Sequence, residues 1–79
     1  MSRKPKDDTI DRNAIGARIR QLRKELGMTQ EQLAEKLGVQ RPMVVKLEQG
    51  KFTDISLRVL IGLSKISKRS VDWLLTARK

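Results

Sequence analysis

The sequence contains no cysteine, no histidine and no tyrosine, and it has a single tryptophan and a single phenylalanine. Without cysteine the chain cannot form disulfides, thiolate metal sites or a cysteine nucleophile. Without histidine or clustered carboxylates, we expect neither a metal site nor an acid–base catalytic pair. These absences predict a protein that is not an enzyme and that binds no cofactor.

Long apolar segments are missing as well. No run reaches the roughly 20 residues that a membrane-spanning helix needs, and the basic N-terminus is not followed by the apolar core of a signal peptide. We therefore expect a soluble, cytoplasmic protein without a membrane partner. The 79 residues are enough for one small domain, which needs an efficient helical core or a partner subunit to be stable.

Positive charge, in contrast, is in excess: 18 Lys and Arg against 9 Asp and Glu give a formal net charge of +9. A surplus of this size on a small domain attracts polyanions, most often nucleic acid. Solubility alone is one alternative explanation. Binding to a membrane surface is another, but it would require a basic amphipathic helix with aromatic anchors.

The first ten residues (MSRKPKDDTI) are charged and show no helical periodicity. We predict that residues 1–10 form a flexible basic arm. Arg3, Lys4 and Lys6 either reach DNA, as the arms of some DNA-binding domains do, or belong to a solvated tail. Residues 11–79 then form the folded domain.

Apolar spacing and capping residues predict five helices and no strand in this domain. The first helix should span residues 13–26, capped by Asp11 or Asn13 and ended by Gly27, because apolar residues recur there at helical spacing. These residues are Ile15, Ile19, Leu22 and Leu26. Thr29 should cap the second helix, with Gln32 completing a capping box.

Residues 29–50 read as two short helices joined at Gly38, which is the pattern of a helix-turn-helix unit. Stepping by about 100° per residue through the second of these helices places Met43, Val44 and Leu47 on a buried side. The opposite side combines cationic, amide and apolar groups: Arg41, Pro42, Val45, Lys46 and Gln49. Arginine and lysine can read guanine edges and apolar groups can meet thymine methyls, so Arg41, Pro42, Val45 and Lys46 are predicted to contact DNA bases.

Residues around this face are predicted to contact DNA phosphates: Gln30, Gln40, Gln49, Lys51 and Thr53. Gln30 is expected at the first position of its helix, where the helix dipole favours an anion. Glu48 lies at the border of the DNA-facing side, where an unpaired carboxylate would repel phosphate. We therefore predict that Glu48 is structural and pairs with Arg23.

Ser56 and Ser70 should cap two further helices, whose apolar residues cover a wider arc than one packing face requires. We predict that residues 56–77 form a homodimer interface through Ile66, Val71, Trp73 and Leu74. An alternative is that these helices hold a toxin protein.

The run RKELGMTQEQLAEKLGV from Arg23 to Val39, followed by Val44, Leu47, Glu48 and Gly50, resembles the Cro/phage-repressor (XRE-type) helix-turn-helix family. The similarity extends over residues 15–75 and includes the later run SVDWLL. It implies an all-α, five-helix, lambda-repressor-like domain that binds operator DNA, usually as a twofold dimer.

The resemblance also implies residue roles: Gln30 contacts a phosphate, Arg23 pairs with Glu48, and the base-facing positions are Arg41, Pro42, Lys46 and, in some members, Val45. Two positions depart from the family pattern. Pro42 stands where many relatives have a hydrogen-bonding side chain, and Ser67-Lys68-Arg69 replaces a common Leu-Gly-Val. The second departure affects the join between helices 4 and 5.

Together these features predict a sequence-specific DNA-binding transcriptional regulator, a repressor that binds a palindromic operator as a homodimer. The alternative hypothesis is an antitoxin that binds a toxin protein and autoregulates its operon.

Overall fold

The computed structural model describes residues 11–77, which form five helices and no strand. The helices are α1 (Arg12–Glu25), α2 (Gln30–Leu37), α3 (Arg41–Glu48), α4 (Leu57–Ser67) and α5 (Val71–Thr76). The predicted all-α class is confirmed. The predicted arm, residues 1–10, lies outside the described residues, as do residues 78–79.

Within the described part, none of the helices has the length and apolar character needed to cross a membrane.

The first two helices begin at side-chain caps that their sequences encode. Asp11, rather than Asn13, caps α1, and its carboxylate accepts a hydrogen bond of 3.0 Å from the backbone N–H of Ala14. At α2 the Thr29 hydroxyl accepts from the N–H of Gln32 at 3.0 Å, while the Gln32 side chain accepts from the N–H of Thr29 at 2.9 Å. This capping box satisfies two backbone donors that would otherwise lack partners.

Serine hydroxyls begin the last two helices in the same way. Ser56 accepts from the N–H of Val59 at 3.2 Å, and Ser70 accepts from the N–H of Trp73 at 2.9 Å. The join between α4 and α5 contains Lys68 in the left-handed conformation (φ 60°) where glycine would be the usual choice.

One apolar core is shared by all five helices. Each member of the core cluster is at most 4 % exposed: Ile15, Ile19, Leu22, Leu33, Ala34, Leu37, Val44, Leu47, Val59, Leu63 and Leu74. α1 and α3 approach each other closely at Gly16, where an added Cβ would lie 2.6 Å from the carbonyl oxygens of Leu47 and Glu48. Glycine at this position therefore allows the two backbones to meet.

Two residues predicted to be buried are exposed. Leu26, expected to complete the apolar stripe of α1, is 41 % exposed because it is the C-cap residue, beyond the last helical turn. Met43, expected on the buried side of α3, is 43 % exposed. At about 100° per residue, Met43 lies roughly 70° from the direction shared by Val44 and Leu47, which places it beside the core.

Candidate nucleic-acid interface

α3 presents a cationic and partly apolar side to solvent. Arg41, Pro42, Lys46 and Gln49 are exposed, and Val45 is half-buried. Pro42 lies in the first turn of α3, where its missing N–H costs no intrahelical hydrogen bond. The predicted base-reading residues are therefore accessible, and their roles in DNA recognition stay predictions.

The turn between α2 and α3 fixes the direction in which α3 leaves. Gly38 caps α2 in the left-handed conformation (φ 73°). The N–H of Val39 then donates to the carbonyl of Ala34 at 3.0 Å, and Val39 packs against the core. This hydrogen bond and the left-handed glycine are typical of a helix C-terminus that reverses the chain. The structure thus contains the helix-turn-helix unit that the sequence predicts.

A half-buried polar network connects α3 to α1 and α2. Arg23 of α1 pairs with Glu48 of α3, with a distance of 3.1 Å between Arg23 Nη2 and Glu48 Oε1 and a second contact through Nε. The remaining Arg23 nitrogen, Nη1, donates to the carbonyl of Met28 at 2.9 Å. Gln30 Nε2 of α2 also donates to Glu48 Oε1, at 3.2 Å. The predicted ion pair is present, and the sequence did not indicate that Gln30 joins it.

The Gln30 contact bears on its predicted phosphate role. One N–H of the side-chain amide is directed to Glu48, but an amide nitrogen carries two donors. Gln30 is also the first residue of α2, where backbone N–H groups face away from the helix. The second amide N–H of Gln30 and the backbone N–H groups therefore remain available to a phosphate at this end of α2. The hydrogen bond to Glu48 holds the Gln30 side chain in position.

The other predicted phosphate contacts lie on accessible surface. Gln40 is the N-cap residue of α3, is exposed and makes no side-chain capping bond. Gln49, Lys51 and Thr53 are exposed. Lys51 follows Gly50, whose left-handed conformation (φ 74°) ends α3. These positions flank α3 at both ends, and their phosphate contacts stay predictions.

The charges around α3 are unbalanced in favour of cations. Between residues 11 and 77 the structure has two ion pairs, Arg23–Glu48 and Arg69–Glu25. Arg41, Lys46 and Lys51 belong to neither. Because Glu48 is the carboxylate of α3 and is already paired, the outward side of α3 itself carries only cationic charge, which suits an anionic ligand.

The residues predicted to form a dimer interface differ in their accessibility. Ile66, Val71 and Trp73 are half-buried. Leu74 is 0 % exposed and belongs to the core of the protomer. The prediction that Leu74 contacts a second copy is therefore wrong, because the geometry of α5 directs this side chain inward.

The predicted set missed three exposed apolar residues. Leu57 and Ile61 of α4 are 73 % and 48 % exposed, and Met43 is exposed beside the outward side of α3. Comparing the angular position of each apolar residue with the core-facing direction of its helix would have separated these three residues from their buried neighbours.

The helix-turn-helix family model matches residues 19–74. An uncharacterised HTH-type transcriptional regulator of Archaeoglobus fulgidus is 42 % identical over 57 residues, covering 72 % of this chain and 80 % of that protein. The transcriptional regulator SinR of Bacillus subtilis is 39 % identical over 61 residues, covering 77 % of this chain. The chain spans only 55 % of the length of SinR.

Solved structures of DNA-binding regulators are similar to this chain as well. The P22 c2 repressor in complex with a synthetic operator has a TM-score of 0.74 and 33 % identity, covering 81 % of this chain and 96 % of that chain. SinR in complex with DNA has a TM-score of 0.69 and 38 % identity, covering 76 % of this chain and 95 % of that chain. The chain therefore belongs to the XRE-type helix-turn-helix family of DNA-binding transcriptional regulators.

Proposed function

We propose that this chain is a repressor whose α3 enters the major groove of an operator and reads its sequence. The observation that carries the proposal is the exposed, cationic and partly apolar side of α3, on a helix that a half-buried polar network connects to α1 and α2. Arg41 and Lys46 suit guanine edges, and Pro42 and Val45 suit thymine methyls. Repression itself is proposed by analogy with the P22 c2 repressor.

Phosphate contacts on either side of α3 would set its depth and register in the groove. In this proposal the N-terminus of α2, with Gln30, contacts one stretch of backbone. Gln40, Gln49, Lys51 and Thr53 contact the backbone around the two ends of α3. Such contacts carry no sequence information but orient the reading helix.

We further propose that the chain binds a palindromic operator as a homodimer. The half-buried apolar side chains of Ile66, Val71 and Trp73 near the C-terminus would form the contact between protomers. A twofold dimer would place two copies of α3 about one helical turn of DNA, roughly 34 Å, apart. The operator would then be an inverted repeat with that spacing.

Selection of binding sites from random DNA tests this proposal directly. The expected result is an enriched inverted repeat for the native chain. In the Arg41→Ala variant we expect relaxed preference at one position of each half-site, because a good base contact contributes about 1–3 kcal/mol of discrimination. Arg20→Ala, which removes an exposed arginine of α1, is the matched control and should keep the full preference. An unchanged preferred sequence for Arg41→Ala would refute the assigned reading role.

The antitoxin alternative has less support. The relatives described above carry the names of transcriptional regulators, and none of those names refers to a toxin. Copurification of a stoichiometric second protein from the native host would favour it over the repressor proposal.

A further inference from the structure

α4 has apolar residues on two nearly opposite sides. Val59 and Leu63 are at most 4 % exposed and face the core, whereas Leu57 and Ile61 are 73 % and 48 % exposed. Leu57 and Ile61 are separated by about 40° around the helix and lie roughly opposite the direction of Val59 and Leu63. The fold of one protomer therefore leaves this second apolar side uncovered.

Cations continue the same side of the helix. Lys65 follows Ile61 by four residues, so it lies on the exposed stripe at helical spacing. Lys68 is the exposed C-cap residue just beyond the last turn of α4 and adds a second cation at this end of the helix. Arg58 lies at its edge and is exposed too. The sequence from Ser56 to Val71 contains no aspartate or glutamate. The uncovered side thus combines two aliphatic residues with positive charges only.

This combination discriminates between possible occupants. A second copy would bring the cations of two stripes into one contact, and like charges across an interface disfavour it. DNA would be attracted by the lysines but offers phosphates rather than apolar groups to Leu57 and Ile61. An amphipathic helix with acidic flanks satisfies both features, because its apolar residues at i and i+4 match this spacing and its carboxylates pair with the lysines.

We propose that the α4 outward stripe, defined by Leu57, Ile61, Lys65 and Lys68, binds an acidic amphipathic helix of another protein. The proposal does not depend on operator binding, since the stripe shares no residue with the DNA-facing side of α3. It does offer a route to regulation. Arg58 lies 3.5 Å from the carbonyl oxygen of Gly38, so a carboxylate that recruits Arg58 would compete with a contact to the turn between α2 and α3.

The test uses the full chain and a synthetic peptide probe, a helical peptide of leucine and glutamate with leucines at i, i+4 and i+7. A peptide of identical composition, shuffled to remove its amphipathic side, is the control for charge alone. In a titration followed by amide NMR, the amphipathic peptide should shift the resonances of the α4 outward stripe and bind at least about tenfold more tightly than the shuffled one, because only it buries both apolar anchors.

Paired substitutions then distinguish binding at this site from non-specific hydrophobic binding. Leu57→Ser with Ile61→Ser should weaken peptide binding about tenfold or more, since two buried anchors are lost. Leu26→Ser with Met43→Ser removes two other exposed apolar residues, which are 41 % and 43 % exposed. This control should retain binding. Thermal melts of both double variants establish that they remain folded.

Four results would overturn the proposal. The shuffled peptide could bind equally well, or the resonance shifts could fall on α3. Anionic phospholipid vesicles could bind through Leu57 and Ile61 in place of the peptide. The Leu57→Ser and Ile61→Ser double variant could also convert a dimer of the native chain to monomers in sedimentation, which would assign the stripe to a second copy.

Discussion

Arg23 of α1 donates hydrogen bonds to both carboxylate oxygens of Glu48 in α3, and the two side chains are only 11 % and 5 % exposed. Gln30 of α2 donates to the same carboxylate. One acidic side chain therefore fixes the relative positions of three helices at the proposed DNA surface. The pairing with Arg23 also neutralises the negative charge of Glu48, which would otherwise face phosphate.

Removing one partner of this pair should be strongly destabilising. Arg23→Ala leaves a nearly buried carboxylate without its cation, and such a loss costs about 3–5 kcal/mol of unfolding free energy. Urea denaturation followed by circular dichroism measures the change. Glu25→Ala, which breaks the exposed pair with Arg69, is the control and should have a much smaller effect. Equal losses in the two variants would contradict a special role for Arg23.

Gly16→Ala should destabilise the fold although alanine favours helices. The added Cβ would lie 2.6 Å from two carbonyl oxygens of α3, so the helices must separate. Overpacking of this kind costs about 1–3 kcal/mol, which outweighs the alanine propensity gain of up to about 1 kcal/mol. In Gly27→Ala the added Cβ meets no atom within 4 Å, so the cost of this variant reports only the strain of alanine in a left-handed backbone conformation (φ 70°). A more stable Gly16→Ala variant would show that α1 and α3 do not require this close approach.

Lys51→Ala should weaken binding to every DNA sequence by a similar factor. If Lys51 neutralises one phosphate, its removal lowers the slope of log affinity against log salt concentration by about one. Fluorescence anisotropy at several salt concentrations measures that slope. Lys65→Ala removes an exposed lysine from α4 and should leave the slope unchanged. A changed sequence preference in Lys51→Ala would instead place this lysine on a base.

The carboxyl of Glu25 should titrate below the ordinary range for glutamate. A hydrogen bond from Gln21 (3.0 Å) lowers its pKa most, desolvation partly offsets this, and the charge and hydrogen bond of Arg69 lower the pKa further. Because the folded pKa is depressed, the stabilising contribution is present above the unfolded pKa. It is lost as the pH falls through the folded pKa. Carboxyl NMR titration should show the pKa rising in Gln21→Ala, and an unchanged pKa would contradict the assigned cause.

Val71→Glu should dissociate the proposed homodimer. A carboxylate on this half-buried position would face its own symmetry mate across the twofold axis, and like charges there are unfavourable. Sedimentation equilibrium of native and variant chains measures the dissociation constant. Asp72→Glu, at an exposed neighbouring position, keeps the charge and should dimerise normally. Unaltered dimerisation of Val71→Glu would place the interface elsewhere.

Features that depend on local chemistry could be predicted from the sequence. The Thr29–Gln32 capping box and the glycine that ends α2 follow from short-range hydrogen bonding, so a few neighbouring residues suffice. Features that depend on tertiary contacts could not. Leu74 and Val71 look equivalent in sequence, but only the packing of α5 against α1 distinguishes the buried residue from the accessible one.

The proposed site shows the same division. The pairing of Arg23 with Glu48 was expected, because a carboxylate beside phosphates needs a cation. The hydrogen bond from Gln30 to Glu48 could not be predicted from the sequence, because these residues are 18 positions apart and come together only when α2 packs on α3. Leu57 shows the same limit: the wide apolar arc of α4 could be predicted from the sequence, but only the coordinates show that Leu57 is the member that is 73 % exposed.

α5 is only six residues long, well below the length at which an isolated helix persists in water. Its attachment includes a hydrogen bond of 2.8 Å from Arg18 to the carbonyl of Leu74, and Arg69 stacked 4.1 Å from the Trp73 ring. Such a segment should open far more often than the rest of the domain. Its amide hydrogens should exchange fastest among the helices, and if α5 carries the dimer contact, that exchange should slow as protein concentration rises.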